Sequence, residues 1–215
     1  MKYKLVCFDL DGTLTERDDS WLYIHKDLGV WEQAKKHREL FFKKKINYQD
    51  WADLDVGLWR GTPLERLMNV IEQIEVRPYI EEIVTELRKH NLKLLILSSG
   101  LSFFAEKIKT QYNFDYAFAN APTVGSDGCL TGEINVKIGY NDKDQVLQKF
   151  IKPLNIKLKE CIAVADGEND IPLFKVVGLS IAFNPRSEEI AKSAMVAIRN
   201  GDLRDVLSII LSRLE

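Results

Sequence analysis

The 215-residue sequence predicts an α/β fold: a parallel sheet core with helices on both faces, a small α-helical insertion and a β-hairpin excursion. Three observations carry this. Short apolar or β-branched runs alternate with helix-period segments, the pattern of parallel strands joined by helical crossovers. Residues 16–76 break that rhythm, holding no convincing strand and all four tryptophans. Residues 121–138 then set turn signals between two short strand-forming runs.

In chain order, the first strand is read over 3–9 and ends in Asp9-Leu10-Asp11-Gly12. Within the insertion, Trp21, Ile24 and Leu28 follow helical i, i+3, i+7 spacing, as do Trp51, Leu54 and Leu58. Thr62-Pro63-Leu64-Glu65 combines a capping box with proline at the first helical position, so another helix starts there. The aromatics are expected to form mainly the insertion's own core, with some facing a cleft. Helices are then expected at 78–90, 101–112, 143–152, 171–177 and 202–214. Strands are expected at 92–98, 114–120, 161–166 and 179–183, with a weaker one at 195–198. Ser126-Asp127-Gly128 and Thr131-Gly132 supply the turns of the hairpin.

Hydrophobic residues make up 46% of the chain, enough to bury a substantial core. A net charge of −2 gives no field for a polyanion, so no nucleic-acid partner is expected. Lys43-Lys44-Lys45 is too short to change that and reads as a solvated helix face. Cys7, Cys129 and Cys161 are odd in number and widely spaced, which fits free thiols in a reducing, cytoplasmic compartment. Residues 1–10 show no signal-peptide pattern, and no apolar run approaches the ~18 residues of a membrane span, so no membrane partner is expected. His25, His37 and His90 are not spaced as ligands and are expected on the surface or packed within the insertion.

In parallel α/β sheets, sites form at the carboxyl ends of strands, so the end of each run is where chemistry is sought. Asp9 and Asp11 crowd two like charges together, as a solvated strand end or around a cation. Ser98, Ser99 and Gly100 close the second strand, and are either an ordinary N-cap or an anion site of hydroxyl and backbone N–H groups. Lys143 falls in a first helical turn, where a cation opposes the macrodipole; it is solvated or answers a negative charge outside the helix. Asp166-Gly167-Glu168-Asn169-Asp170 ends another strand with two more acids, and Asn169 can add neutral hydrogen bonds. A nucleophile, a proton-transfer partner, phosphate clamps and a metal are what phosphoryl transfer through a carboxylate requires.

Those residues resemble the haloacid dehalogenase-like superfamily, and within it the phosphoserine phosphatase-like branch. The motifs are Asp9-Leu10-Asp11-Gly12-Thr13, Ser98-Ser99-Gly100, Lys143 and Asp166-Gly167-Glu168-Asn169-Asp170, in that order. The resemblance implies a Rossmann-like core in residues 1–15 and 77–215, with a helical cap in 16–76. It implies that Asp9 forms an aspartyl-phosphate, that Asp11 serves as acid and then base, and that Mg²⁺ is the cofactor. The metal would be held by Asp9, the Asp11 carbonyl and Asp166, with Asp170 as ligand or outer partner. Ser98, Lys143 and the Gly100 backbone would grip the phosphoryl group, helped by Ser99 and Asn169.

The implied activity is hydrolysis of a small-molecule phosphate ester. Transfer to a sugar phosphate, as in a phosphomutase, is the alternative. A phospho-acceptor signalling module is a third reading, set against the acid at position 11, which favours turnover. Phosphoserine-specific members use a glutamate soon after the first motif and an arginine in the cap. Glu16, Asp18, Asp19 and Ser20 surround the first position, whereas a gapped comparison puts Asp55 at the second, with Arg60 and Arg77 nearby. That departure argues against phosphoserine itself, and the tryptophan-rich cap suits a larger or less polar leaving group.

Overall fold

A computed structural model describes residues 3–16 and 19–214; the candidate Asp18 lies outside them. Among the described residues, seven strands form one sheet in the order β4-β3-β2-β1-β5-β6-β7. They are β1 (Leu5–Phe8), β2 (Lys93–Leu101), β3 (Tyr116–Val124), β4 (Leu130–Asn135), β5 (Cys161–Ala165), β6 (Leu179–Phe183) and β7 (Val196–Ile198). Neighbours pair in parallel except β3 and β4, which are antiparallel. The expected α/β architecture is the observed one.

Strand alternation explains the continuous apolar runs. Val6 and Phe8 of β1 join one core with Leu94 and Ile96. That core packs under α5 (Ile80–Lys89), α6 (Ser102–Tyr112) and α10 (Leu203–Leu211). Leu5 and Cys7 face the other way, with Leu95 and Leu97, toward α7 (Lys143–Ile151), α8 (Ile171–Val176) and α9 (Glu188–Ser193). A strand buried on both faces has no polar side to show, so its sequence does not alternate. The short α9 carried no periodic signal, but Ser187 caps it through the Ile190 N–H.

Between β1 and α5 the described residues form α1 (Ser20–Asp27), α2 (Trp31–Phe42), α3 (Tyr48–Gly57) and α4 (Leu64–Glu72). The expected capping box at Thr62 is absent. Pro63 is the N-cap of α4, with no side-chain cap. The first helical N–H, that of Leu64, donates to the Gly128 carbonyl at 3.0 Å, and Leu130 N–H donates to Thr62 O at 2.8 Å. The hairpin turn has taken over the role of the cap. The hairpin's first arm is the tail of β3, which runs unbroken to Val124 instead of stopping near residue 120.

Asn120, fully buried in β3, ties the sheet edge together. Its amide donates to the carbonyls of Ser99 and Ile138, each at 2.9 Å. Its oxygen accepts from the N–H groups of Lys137 (2.8 Å) and Ile138 (2.9 Å). Truncation would leave several of these buried groups unpaired at once. Asn120→Ala is therefore expected to lower stability by about 3 kcal/mol in urea unfolding. A loss under about 1 kcal/mol would show that the flanking loops hold themselves.

Candidate active site

Asp9 is the first residue past β1, and its N–H extends the ladder to Val164 O at 3.0 Å. Asp166 is the first residue past the neighbouring strand β5, so parallel pairing brings both acids to one sheet edge. Lys143 opens α7, is wholly buried, and places Nζ 2.9 Å from Asp9 Oδ1 and 2.6 Å from Asp170 Oδ1. A solvated Lys143 is thus ruled out. Burial disfavours its charge, but the Asp170 and Asp9 carboxylates prevail and raise its affinity for the proton. Asp170 is itself shifted upward, chiefly by burial, with Lys143 opposing the shift.

Asp11 does not continue the strand but lies in the turn that follows β1. Ser20, at the start of α1, donates its N–H to Asp11 Oδ1 and its hydroxyl to Oδ2, both at 3.0 Å. Gly100 lies against the same carboxyl; a Cβ there would approach Asp11 Oδ2 to 2.6 Å. Burial, followed by the charges of Asp9 and Asp19, pushes the Asp11 carboxyl up to about 8. Asp11 therefore holds a proton at neutral pH, beside an Asp9 that is paired with Lys143.

Asp166 accepts from the Thr13 hydroxyl at 2.9 Å and from Arg186 Nε at 2.6 Å. Arg186 also reaches the Asp11 carbonyl, at 3.4 Å. Its guanidinium thus bridges the strand end and the turn, a role that no sequence signal marked. Gly12 makes the approach possible: its φ is +87°, and a Cβ there would collide with Asp166 Oδ2.

Among the described residues, no three acidic, histidine or cysteine side chains close around a common point. Magnesium does not require such a cage, since it takes one or two carboxylates and completes its shell with water and phosphate oxygens. The donors here suit it. They are hard oxygens, Asp170 Oδ2 is buried with no hydrogen-bond partner among the described residues, and a cationic guanidinium already bridges Asp166 and the Asp11 carbonyl.

The Ser98–Gly100 segment differs in detail from expectation. Extended backbone continues to Leu101, and α6 begins only at Ser102, so Ser98 is not an N-cap. Instead its buried hydroxyl accepts the Gly100 N–H at 2.9 Å. Asn169 donates to Ser99 Oγ at 3.1 Å, and Tyr48 of α3 donates to Ser99 O at 3.1 Å. The helical insertion is thereby bonded to the sheet edge.

A cavity of about 540 Å³ opens over these groups, running from Asp9, Asp11 and Ser98 to Trp21, Trp51 and Asp55 in the insertion. Trp59 is instead fully buried core. His25 and Asp55 line the cavity, whereas Arg60 and Arg77 do not. Arg77 donates to Gly12 O at 3.0 Å and lies over the Phe183 ring, bracing the first loop.

The chain matches the family described as haloacid dehalogenase-like hydrolase over residues 3–178. It is 34% identical to the phosphoserine phosphatase of Methanocaldococcus jannaschii over 210 residues, covering 97% of this chain and 98% of that one. It is 30% identical to the phosphoserine phosphatase of Archaeoglobus fulgidus over 186 residues, covering 85% of this chain and 53% of that one. A solved structure described as a phospho-aspartyl intermediate analogue of phosphoserine phosphatase superposes with a TM-score of 0.82 at 33% identity, covering 97% and 99% of the two chains.

Carboxyl-resolved ¹³C NMR tests the electrostatics without turnover. One aspartate signal is expected to titrate near pH 8, protonated below and ionised above, and to vanish in Asp11→Asn. If every carboxyl titrated in the ordinary range of about 3–5, the proposed environment of Asp11 would be wrong.

Proposed function

The chain belongs to the haloacid dehalogenase-like hydrolases, and on that premise we propose a Mg²⁺-dependent phosphatase that cleaves a small-molecule phosphomonoester through an aspartyl-phosphate on Asp9. The observation that carries the reading is the contrast between two acids of one loop. Asp9 is charge-paired with Lys143 at 2.9 Å, whereas Asp11 retains its proton to about pH 8. An ionised carboxylate can attack phosphorus, and a protonated one can supply the leaving oxygen with its proton.

In this reading Asp9 attacks, and Asp11 protonates the departing alkoxide. The aspartyl-phosphate forms as the ester P–O bond breaks. Asp11, now ionised, takes a proton from water as the water attacks phosphorus and releases Asp9. Lys143 offsets the charge on Asp9 and the phosphoryl oxygens, while Asp170 holds the ammonium in place. Ser98 is positioned to donate its hydroxyl to a phosphoryl oxygen, with Ser99, the Gly100 backbone and Asn169 completing the pocket. Asp9, the Asp11 carbonyl and Asp166 would hold Mg²⁺, with Asp170 beside them, and the metal would neutralise phosphoryl charge. Arg186 must release Asp166 and the Asp11 carbonyl for these oxygens to serve.

The helices of residues 16–76 act as the cap that excludes bulk water. Hydrolysis is favoured over mutase transfer by phosphatase relatives aligned along nearly the whole chain. Three free cysteines, two of them buried, support a reducing, cytoplasmic setting.

With an alkyl phosphate and Mg²⁺, Asp9→Asn is expected to lower kcat by at least about a thousandfold. Asp11→Asn should lower it by about 10²–10⁴ and let phosphorylated enzyme accumulate, detectable by mass spectrometry. In the wild type, kcat/KM should fall at alkaline pH as Asp11 loses its proton. Full activity in Asp9→Asn, or after chelation of the metal, would refute the mechanism.

A further inference from the structure

The far wall of the cavity carries buried polar groups that phosphoryl transfer does not use. Trp59 Nε1 lies 3.1 Å from His25 Nδ1, and an indole N–H can only donate. His25 Nδ1 must therefore be the acceptor, which leaves the neutral ring's proton on Nε2. That Nε2–H sits 3.3 Å from Asp55 Oδ2 but off line, and it has no hydrogen-bond partner among the described residues. His25 is 2% exposed and Asp55 4%, and both line the cavity. Asp55 is held from behind by His37, whose Nδ1 is 2.7 Å from Oδ1. Nearby, Trp51 Nε1 is a second buried donor without a partner, on a ring stacked against Phe41.

Native interiors rarely leave buried donors unpaired, so two orphans and a carboxylate on residues that line one cavity point to a ligand. The groups also restrict its chemistry. A carboxylate only accepts hydrogen bonds and would be repelled by Asp55. An ammonium only donates and could satisfy neither N–H, so a zwitterion would need both its groups, the ammonium on Asp55 and the carboxylate on the N–H donors beside that like charge. A hydroxyl does both: it accepts from His25 Nε2 or Trp51 Nε1 while donating to Asp55. Flat aromatic walls at Trp21 and Trp51 suit the C–H faces of a carbon skeleton that bears several hydroxyls.

We propose that the leaving group is a neutral polyhydroxylated alcohol, a sugar or polyol, whose hydroxyls are read by His25, Asp55 and Trp51. This selectivity rests on the phosphatase reading and deepens it. Asp55 stands where the resemblance expects an arginine, and the change of sign exchanges a carboxylate-seeking group for a hydroxyl-seeking one. Arg38 also lines the cavity, with its guanidinium 5.6 Å from the centroid of the Phe42 ring.

The test is a steady-state panel with Mg²⁺ comprising glucose 6-phosphate, glycerol 3-phosphate, phosphoserine, phosphoethanolamine and p-nitrophenyl phosphate. At least one of the two hydroxyl-rich esters is expected to exceed phosphoserine and phosphoethanolamine at least tenfold in kcat/KM. Phosphoserine or phosphoethanolamine as the best alkyl substrate would overturn the proposal. Failure to cleave any ester, p-nitrophenyl phosphate included, would instead sink the phosphatase reading. Binding then decides selectivity separately, through quenching of tryptophan fluorescence. Tighter binding of glucose 6-phosphate or glycerol 3-phosphate than of phosphoserine supports the proposal, and the reverse order refutes it. Asp55→Asn, checked for folding by circular dichroism, should cut the preference for hydroxyl-rich esters over phosphoserine at least tenfold. An unchanged ratio in the folded variant would also refute it.

Discussion

The buried ammonium of Lys143 is the interaction on which the rest of the site depends. Asp9, Asp166 and Asp170 are all buried at one sheet edge, and so much like charge is unfavourable in a medium that solvates it poorly. Lys143 touches Asp9 and Asp170 together, and Arg186 engages Asp166 from the solvent side. Breaking a buried pair by removing one partner costs about 3–5 kcal/mol, because the other charge is left without compensation. The lysine therefore cannot be exchanged for a neutral residue without upsetting the acids on both sides. Its position at the start of α7, unfavourable for the helix dipole, is the local cost of that service.

The parallel sheet makes this crowding possible. Side-by-side strands β1 and β5 end at the same edge, so two residues more than 150 positions apart in sequence become neighbours through backbone pairing alone. Glycine then removes the last obstacles. Gly12 and Gly100 each lie where a Cβ would meet a carboxylate oxygen closer than 3 Å. The acids are thus held by backbone geometry first and by counter-charges second, with Asp9 and Asp11 lining the cavity.

This hierarchy explains what the sequence revealed. The sheet was legible because doubly buried strands leave unbroken apolar runs, and Asp9, Ser98 and Asp166 because they fall at or just beyond the ends of such runs. Lys143 was legible from its breach of helix-dipole preference. Local signals failed where a distant segment supplied the partner. Thr62 looked like a cap until the Gly128 carbonyl took that part, and Ser98 looked like an N-cap before its hydroxyl was committed to Gly100. Arg186 and Asn120 left no trace in their neighbourhoods, since the groups they serve are brought to them only by folding. His25 read as a packing histidine, and it is packed; its unpartnered Nε2 could not be inferred without Trp59 and Asp55 beside it.

The same distinction separates the two ends of the cavity. The end proposed to take the phosphoryl group hangs on strand termini, where the pairing of β1 with β5 sets the positions of Asp9 and Asp166. The far end is built from side chains on three separate helices, with no ladder to fix them, so it can change its chemistry without disturbing the sheet. Yet the ends are joined. Ser20 of α1 holds both oxygens of Asp11, and Tyr48 of α3 holds the Ser99 carbonyl. Burial is the largest cause of the raised proton affinity of Asp11, with the charges of Asp9 and Asp19 adding to it and the two Ser20 hydrogen bonds opposing it. In the proposed mechanism, the helical layer that would surround the leaving group thus also touches the acid, with Asp19 at the α1 N-cap raising its proton affinity and Ser20 lowering it.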